Sequence, residues 1–598
     1  MTQETIAENL VKTFHNVVSA EGDRPFLWSK KNGSYQAHSW IEVEREVSLV
    51  ANALFALGLS VGDRVLLVSE NRPEWFISDM AVLTAGGITV PAYTTNTIND
   101  HRFLLDHSGA SIAICSSGTP AQRLLQALKG HGSLKALLFM DDIGVRPELP
   151  FPVLTWTEVA ELGRQGPGID RSDEIGQDDL ACFIYTSGTG GQPKGVMLSH
   201  GNILANVRGA RELLKLVDVG DKDVFLSFLP LSHSYEHTAG QFFPMAVGAQ
   251  IYYAESVESL SRNLAEARPT ILPCVPRLYE VLRAKILAGV QRQGGLQEKL
   301  FNRTLLLGSK HYLTNGRLNP METVLNLVLD RLVRRKVQER FGGRLKAMVS
   351  GGAPLNHEVG MFFVSLGLPV LQGYGQTEAS PVISANVPGK ARIDSVGPPL
   401  DGVELKIADD GEILIRGANV MKGYWRDEEA TASAIVDGWL HTGDVGEFDD
   451  QGRLRITDRK KDIIVNSGGD NISPQRVEGI ALLETEIGQI LVYGDRRPYL
   501  VALVVADKDY SAEFAKRHGL ENTPAVLREN EEFRDLMANA MKRVNAGLSN
   551  IERIRRYHLM PTPFTVDNGM MTPTLKLRRP IIISRFQETI ENLYNTGK

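Results

Sequence analysis

Short apolar runs alternate with longer amphipathic stretches through most of the first 400 residues. One such pair lies between Asp63 and Gly87, where "DRVLLVSEN" predicts a buried strand and "WFISDMAVLTAGG" predicts a helix that ends at glycines. The same order recurs at "ASIAICSSG", "ILPCVPRLYEVLRAKIL" and "RLKAMVSGGAPL". Strands that alternate with helices form parallel sheets covered by helices. We therefore expect an α/β fold whose ligands bind at the carboxyl ends of the strands.

The pattern changes near Gly402, where apolar and polar residues begin to alternate with a period of two. The segments "GVELKIADDGEILIRG" and "GEFDDQGRLRITDRKKDIIV" contain Asp-Gly, Asp-Asp and Gln-Gly turns, which is typical of β-hairpins. A charged run, Asp458 to Asp462, precedes a last segment with its own apolar pattern. We predict a large N-terminal domain of parallel or mixed sheets between helices (1–458), which includes a β-rich subdomain at about 400–458. A smaller α+β domain is predicted at 464–598.

Composition narrows the class of protein. The chain has 598 residues, of which 43% are hydrophobic and 23% charged, and its net charge of −6 disfavours a nucleic-acid binder held by bulk positive charge. The cysteines at 115, 182 and 274 have neither zinc-site spacing nor a disulfide pattern, which fits a reducing cytosol. The N-terminal stretch lacks the apolar core of a signal peptide, and no run reaches the roughly 18 apolar residues of a membrane span. We expect a cytoplasmic protein.

The stretch "YTSGTGGQPKG", Tyr185 to Gly195, combines four glycines with three hydroxyl side chains and one lysine. Glycine allows several backbone N–H groups to converge on one anion, and Lys194 adds a positive charge, so the expected ligand is a phosphate. A P-loop is excluded because Pro193 precedes the lysine and a glycine follows it. The dinucleotide fingerprint fails as well, since Pro193 stands at its third glycine.

This stretch resembles the phosphate loop of the adenylate-forming, AMP-binding superfamily, usually written Y-T-S-G-T-T/S-G-x-P-K-G. Gly190 departs from that pattern, because a second threonine or serine is usual there. Other motifs of the family follow in the expected order between about residues 25 and 580. The resemblance implies that this loop binds ATP phosphates through Thr186, Ser187, Gly188, Thr189, Gly190 and Lys194.

Two further motifs are implied to bind the nucleotide and a metal. In "VSGGAPL" the resemblance places Gly351, Gly352 and Ala353 against adenine. In "LQGYGQTEAS" it implies that Tyr374 stacks on adenine, that the Thr377 hydroxyl meets a phosphate and that Glu378 binds Mg²⁺, with Thr189 as the second protein ligand. The same stretch contributes Gln372, Gly373 and Gly375 to the nucleotide site.

The remaining implied residues lie nearer the end of the chain or in the acyl site. Asp444 resembles the aspartate that accepts both ribose hydroxyls, and Arg459 the arginine that holds ribose and α-phosphate. Lys461 matches the hinge position of the family, so we expect a hinge at 459–463 and a mobile C-terminal domain. Lys576 is assigned as the catalytic lysine, and His233 as a histidine that positions the acyl carboxylate or its adenylate.

The implied reaction converts a carboxylate and ATP to an acyl-adenylate and pyrophosphate, and then transfers the acyl group to coenzyme A. The segment Phe228 to Gly240 is apolar and aromatic with Glu236 as its one acid, which suits a hydrocarbon chain, and the spelling "TPTLK" resembles the long-chain fatty acyl-CoA synthetase branch. Tyr235 and His237 are candidate gates of the acyl tunnel, while a core histidine is the alternative for His237. A fatty-acyl-AMP ligase that loads a carrier protein and a non-catalytic nucleotide or fatty-acid sensor stay open.

A basic stretch at 321–343 can be drawn as one amphipathic helix. Its apolar stripe and its basic face around Arg331, Arg334, Arg335 and Lys336 are what a helix on a membrane surface requires. An ordinary half-buried helix has the same pattern. Peripheral contact with the inner face of a membrane is therefore one of two interpretations.

Overall fold

The computed structural model describes residues 6–144, 146–186, 192–256, 258–572 and 576–595. Its helices, numbered in chain order, are α1 (Leu10–Glu21), α2 (Trp40–Ala56), α3 (Pro73–Thr84), α4 (Ile98–Ser108), α5 (Thr119–Ala127), α6 (Trp156–Arg164), α7 (His200–Leu214), α8 (Phe243–Ala246), α9 (Leu260–Ala267), α10 (Pro276–Gln293), α11 (Gly295–Leu313), α12 (Pro320–Leu329), α13 (Arg335–Arg340), α14 (His357–Ser365), α15 (Glu428–Ala434), α16 (Pro474–Ala481), α17 (Lys508–His518), α18 (Pro524–Glu529), α19 (Glu531–Ala546), α20 (Arg579–Arg585) and α21 (Gln587–Asn595). The α/β class expected from the sequence is confirmed.

The first sheet contains β1 (Pro25–Lys31), β2 (Ser34–Ser39), β10 (Val224–Ser227), β11 (Gln250–Tyr253), β12 (Ile271–Cys274), β13 (Ala347–Ser350), β14 (Val370–Gly375) and β15 (Val382–Ala385). Its order is β15-β14-β13-β12-β10-β11-β1-β2. The strands from β14 to β1 pair in parallel, while β15 and β2 close the two edges antiparallel. The carboxyl ends of β13 and β14 therefore lie at one edge, where two of the predicted nucleotide motifs begin.

The second sheet contains β3 (Arg64–Val68), β4 (Ile88–Ala92), β5 (Ala110–Cys115), β6 (Ala136–Phe139), β7 (Val153–Thr155), β8 (Leu180–Thr186), β9 (Lys194–Ser199) and β18 (Gly423–Tyr424). Its order is β18-β9-β8-β4-β3-β5-β6-β7, and the strands from β8 to β7 are parallel. β9 and β18 are antiparallel. The strand and helix predicted between Asp63 and Gly87 are β3 and α3, as the pattern indicated.

Aromatic side chains hold helices against the first sheet. The rings of Phe26 on β1 and Trp40 at the start of α2 stack with centroids 3.5 Å apart, and Phe76 of α3 meets Phe26 edge-on at 5.1 Å. All three side chains are fully buried. Large aromatic residues remove more apolar surface from water than other side chains, so this cluster contributes strongly to the core.

The hairpins predicted after residue 402 are present. β16 (Val403–Ile407) pairs antiparallel with β17 (Glu412–Gly417), β17 with β20 (Trp439–Phe448), and β20 with both β19 (Ile435–Val436) and β21 (Leu454–Arg459). Beyond them lie the small pair β22 (Ile464–Val465) and β23 (Asn471–Ile472) and the sheet β24 (Ile487–Tyr493), β25 (Leu500–Ala506) and β26 (Ile554–Leu559). Two clusters of buried apolar residues in this last part contain members from residue 464 onward.

The stretch at 321–343 differs from the single helix drawn from the sequence. It forms α12, a π-helical turn at Asp330–Arg334 and then α13. Arg334, expected on the basic face, is buried and donates from Nε to the Ser365 carbonyl at 2.8 Å and from Nη2 to Asn326 Oδ1 at 2.9 Å. The π-turn rotates this residue inward, so the basic face contains Arg331, Arg335 and Lys336 without it.

Candidate active site

The flanks of the glycine loop form an antiparallel pair. Thr186 at the end of β8 pairs with Lys194 at the start of β9, while Ser187, Gly188, Thr189 and Gly190 lie outside the described residues. The sequence pattern predicts a helix that starts near Ser199, and α7 begins there, but it did not predict the strand β9 between the loop and that helix. β9 ends at Ser199, whose hydroxyl caps α7 by accepting from Asn202 N at 3.2 Å. Lys194 is thus held by the backbone pairing at the start of β9 rather than by a loop or a helix.

Lys194 and Glu378 meet at one tyrosine. The Lys194 ammonium lies 4.8 Å from the ring centroid of Tyr424, and the Tyr424 hydroxyl donates to Glu378 Oε1 at 2.9 Å. Asp427 is the nearby carboxylate, with Oδ2 3.9 Å from the lysine. The lysine side chain is 41% exposed, so its charge is available to an incoming anion. Neither Tyr424 nor Asp427 was predicted from the sequence.

The glycine motif after β13 is shaped by a neighbouring ring. A Cβ added at Gly351 would lie 3.1 Å from Cζ of Tyr235, and the hydroxyl of that tyrosine donates to the Val349 carbonyl at 2.8 Å. Gly351 therefore leaves room for the Tyr235 ring, and its contact with adenine stays a prediction. Gly352 has a left-handed φ of +79°, and it is exposed together with Ala353.

The end of β14 is held from both sides. A Cβ at Gly375 would lie 2.0 Å from the Pro381 carbonyl oxygen, so no side chain fits there. Gln372 is buried and donates to the Ile393 carbonyl, and Gly373 pairs with Ala385 on β15. These three residues shape the strand end. They fix the backbone that directly precedes Thr377 and Glu378.

Thr377 connects this strand end to the acyl-site motif. Its hydroxyl lies 3.0 Å from the Ser234 hydroxyl, and both side chains are buried. Ser234 follows His233 directly. The sequence did not predict this link, because it depends on two loops that are distant in the chain.

Asp444 lies between two of the predicted nucleotide ligands. It accepts from the Tyr374 hydroxyl at 2.7 Å and from Arg459 Nε at 3.1 Å, one bond at each carboxylate oxygen. A carboxylate has about four lone-pair sites, so two further donors, such as ribose hydroxyls, still fit. The structure brings these three residues together, and their contacts with a nucleotide stay a prediction.

Lys576 lies within electrostatic range of this cluster. Desolvation is the largest cause that lowers the pKa of Lys576 and Arg459 is the second, while Asp444 and Glu378 act in the opposite direction. Lys576 is nevertheless an exposed residue, so solvent reaches its side chain. Its role as the catalytic lysine stays a prediction.

His233 completes the arrangement. Burial, followed by the charge of Lys576, lowers the pKa of His233 to about 4, so its imidazole is neutral at pH 7. Its Nδ1 accepts from the Tyr235 backbone N–H at 3.2 Å, which places the proton on Nε2. His233 can therefore donate one neutral hydrogen bond.

His237 belongs to the core rather than to a gate. Its Nε2 lies 2.8 Å from Asp79 Oδ2, and both side chains are almost fully buried. Gln241 donates to the same oxygen at 2.9 Å, and Trp75 meets the imidazole edge-on. The core alternative for His237 therefore agrees with the structure.

The described residues fit a metal ion that is held mainly by its substrate. Among them, no group of three or more histidine, cysteine, aspartate or glutamate side chains could hold a metal ion. Glu378 offers one half-buried carboxylate. One carboxylate is what Mg²⁺ bound to nucleotide phosphates and water requires of a protein, so Glu378 fits that ion and not a fully protein-built cage.

Comparison with known families assigns the class. The model for AMP-binding enzymes matches residues 14–425, and the model for the C-terminal domain of these enzymes matches residues 461–598. The chain belongs to the AMP-binding enzyme family, and the family predicted from the sequence motifs is confirmed.

Individual relatives within this family are long-chain acyl-CoA ligases or synthetases. The long-chain-fatty-acid–CoA ligase FadD15 of Mycobacterium bovis is 33% identical over 578 residues, which are 93% of this chain and 92% of that protein. The peroxisomal long chain acyl-CoA synthetase 6 of Arabidopsis thaliana is 35% identical over 593 residues, 94% of this chain and 82% of that protein. The predicted resemblance to the long-chain branch is thus confirmed.

A solved structure supports the fold. The A domain of the carboxylic acid reductase from Segniliparus rugosus, in complex with AMP and a co-purified carboxylic acid, has a TM-score of 0.76 and 21% identity. The alignment covers 100% of this chain and 95% of that one. This likeness extends to the overall fold.

Within the described ranges, no helix is both long enough and apolar enough to cross a membrane.

Proposed function

We propose that the protein activates a long-chain fatty acid with ATP and transfers the acyl group to coenzyme A. The observation that carries this proposal is the meeting of three predicted nucleotide ligands at Asp444, which accepts from the Tyr374 hydroxyl at 2.7 Å and from Arg459 Nε at 3.1 Å. The charges of Asp444, Glu378 and Arg459 also act on Lys576, in the late segment of the chain. The named activities of the long-chain relatives support the choice of substrate.

In the first half-reaction a carboxylate oxygen attacks the α-phosphorus of ATP. The new P–O bond forms as the bond from the α-phosphorus to the bridging oxygen breaks, and pyrophosphate leaves with that electron pair. Lys576 stabilises the negative charge at the reacting centre, and Lys194 that on the leaving pyrophosphate. His233 orients the carboxylate through its Nε2 proton. When bound, Mg²⁺ adds charge neutralisation at the phosphates, with Glu378 and Thr189 as its protein ligands.

In the second half-reaction the thiol sulfur of coenzyme A attacks the acyl carbon. A C–S bond forms, the bond between the acyl carbon and the AMP oxygen breaks, and AMP leaves while the thiol proton passes to solvent. We infer that the C-terminal domain (464–598) turns about the hinge at 459–463 between the half-reactions. Removing Lys576 from the site makes room for the thiol.

A panel of fatty acids of increasing chain length tests the function. Exchange of labelled pyrophosphate into ATP, measured for each acid, is expected to peak with a long chain, and addition of coenzyme A should release AMP and acyl-CoA. Exchange without a thioester to free coenzyme A would favour a ligase that loads a carrier protein. Nucleotide binding without exchange would favour a sensor.

We also propose that the α11–α12 hairpin touches an anionic membrane from which the fatty acid is drawn. Exposed apolar side chains lie along the hairpin and on the π-helical turn that follows it: Leu306, Leu313, Met321, Val324, Leu327, Val328 and Leu332. Met321 is 84% exposed and Leu327 is 67% exposed. In an ordinary half-buried helix, such apolar side chains face the core instead. Residues 295–343 contain nine Lys or Arg against four Asp or Glu, in a chain with a net charge of −6. This local excess of positive charge complements anionic lipid.

Flotation with vesicles tests the membrane contact. The protein should float with anionic vesicles and much less with neutral ones, and the double variant Arg331→Glu, Arg335→Glu should lose most of that binding. Arg496→Glu, at a 93% exposed arginine in the C-terminal part, is the control. Unchanged flotation of the double variant contradicts the proposal. Concentration-dependent dimerisation through this face, seen by size-exclusion chromatography without any flotation, would assign the patch to a second copy.

A further inference from the structure

Tyr424 contacts two functional groups with opposite ends of one side chain. It lies on β18, the edge strand beside β9, where it pairs with Val196, two residues beyond Lys194. Its ring face lies under the Lys194 ammonium, 4.8 Å from nitrogen to centroid. The negative face of an aromatic ring attracts a cation, so the ring favours one placement of the lysine.

The hydroxyl end of Tyr424 is bonded to Glu378. It donates to Oε1 at 2.9 Å, and the backbone of the same turn is tied to the approach to β18, because Met421 N donates to the Glu378 carbonyl at 2.9 Å. A hydroxyl that donates to one carboxylate oxygen fixes the rotation of the whole carboxylate. Outer hydrogen bonds of this kind orient metal ligands.

The backbone around Tyr424 leaves the side chain little freedom. Tyr424 N donates to the Thr431 hydroxyl of α15 at 2.9 Å, and a Cβ added at the preceding Gly423 would lie 2.7 Å from the methyl carbon of that threonine. Asp427, near Lys194, is occupied as the N-cap of α15 by Ala430 N at 3.0 Å. These contacts restrict the position of the Tyr424 ring. Asp427 is a further partner of Lys194, but one of its carboxylate oxygens is already bonded to Ala430 N.

We propose that Tyr424 is a positioning residue that sets the distance between the phosphate-binding Lys194 and the metal-binding Glu378. The proposal rests on the proposed function, since it assigns those two roles to the lysine and the glutamate. One rigid side chain thereby couples the cation that meets the leaving pyrophosphate to the carboxylate that would hold Mg²⁺.

Two substitutions distinguish the effect of the Tyr424 ring on Lys194 from the effect of its hydroxyl on Glu378. Tyr424→Phe keeps the ring under Lys194 and removes the hydrogen bond to Glu378, whereas Tyr424→Leu removes both. Binding of a non-hydrolysable ATP analogue is measured by calorimetry over a range of Mg²⁺ concentrations, without fatty acid or coenzyme A. In Tyr424→Phe the Mg²⁺ concentration for half-maximal binding should rise about tenfold, while metal-free binding changes less than about twofold.

Tyr424→Leu should show the same increased Mg²⁺ requirement and, in addition, metal-free binding that is weaker by about two- to fivefold. The matched control is Tyr312→Phe. Like Tyr424, Tyr312 has a cation over its ring and a bonded hydroxyl: Arg392 Cζ lies 5.1 Å from the ring centroid, and the hydroxyl accepts from Ile393 N at 2.8 Å. The control should bind as the wild type does. Thermal unfolding of each variant checks that it is folded.

The outcomes distinguish this inference from the function itself. An unchanged Mg²⁺ requirement in Tyr424→Phe overturns the positioning role, as does an equal loss of binding at all Mg²⁺ concentrations, which indicates a general structural effect. A wild-type protein that binds no nucleotide under any condition would overturn the proposed function instead.

Discussion

Asp444 Oδ1 accepts a hydrogen bond from Arg459 Nε at 3.1 Å, directly across the β20–β21 pair. The second oxygen of Asp444 accepts from Tyr374, so one buried carboxylate orients two predicted nucleotide ligands. Its own charge raises the pKa of Arg459 against the effect of desolvation, which keeps the guanidinium charged. Asp444 therefore links two of the residues that are predicted to bind the nucleotide.

Replacing Asp444 by Asn should weaken ATP binding. The amide keeps the shape but loses the charge that Arg459 and the ribose hydroxyls require, and hydrogen bonds to charged groups are worth about 1.5–3 kcal/mol, so we expect affinity to fall about ten- to a hundredfold. Calorimetry with the non-hydrolysable analogue measures the change. Glu404→Gln is the control, because Glu404 forms an exposed pair with Arg416 across the neighbouring hairpin. Wild-type affinity in Asp444→Asn contradicts the ribose assignment.

Replacing Lys576 by Ala should slow adenylate formation without preventing ATP binding. The ammonium acts on charge that develops as the carboxylate meets the α-phosphorus, so the exchange rate should fall at least about a hundredfold. ATP affinity should change less than about threefold. Lys542→Ala, at an exposed lysine of α19, controls for loss of positive charge in the C-terminal part. Equal thioester output from Lys576→Ala and the wild type would refute the assignment.

Local patterns predicted the fold well because they act within one element. The buried run that became β3, the helix α3 and the hairpins β16–β17 and β20–β21 each follow from apolar periodicity and turn residues in a short window. The β9 strand was missed because its six residues lie between a glycine loop and a capped helix. Six residues give a weaker periodic signal than the fifteen-residue helix α7 that follows them.

Contacts between segments that are distant in the chain could not be predicted from local sequence patterns. Lys194 and Glu378 were predicted as separate motifs, but Tyr424, which joins them, has no local signal that distinguishes it from a packing tyrosine. The same holds for the Ser234–Thr377 pair and for the inward turn of Arg334, which a π-helical insertion causes. Motif residues could be named in advance; the side chains that place them could not.

Replacing Lys461 by Pro should separate the two half-reactions. Lys461 lies in an exposed turn after β21, and proline restricts the backbone rotation that a hinge needs. Pyrophosphate exchange should remain within about threefold of the wild type, while release of acyl-CoA should be largely blocked. Single-turnover measurements of adenylate and thioester follow the steps separately. Parallel loss of both would show that the hinge lies elsewhere.

Glu236, the first residue of the π-helix Glu236–Phe242, should make stability depend on pH. Its side chain is fully buried, and this burial outweighs the hydrogen bonds from Ser227 and from the Phe228 backbone and raises its pKa to about 8. Unfolding restores the ordinary pKa of about 4.5, so between pH 4.5 and 8 the unfolded chain loses this proton while the folded chain keeps it, and stability falls by up to about 3–5 kcal/mol. Burial also raises the pKa of its neighbours Tyr253 and Cys274, which therefore titrate above this window. Glu236→Gln removes the titration, so its melting temperature relative to the wild type should rise steadily from pH 5 to pH 8 and then stay level. A difference that stays constant over that range would mean that Glu236 is already ionised in the folded protein.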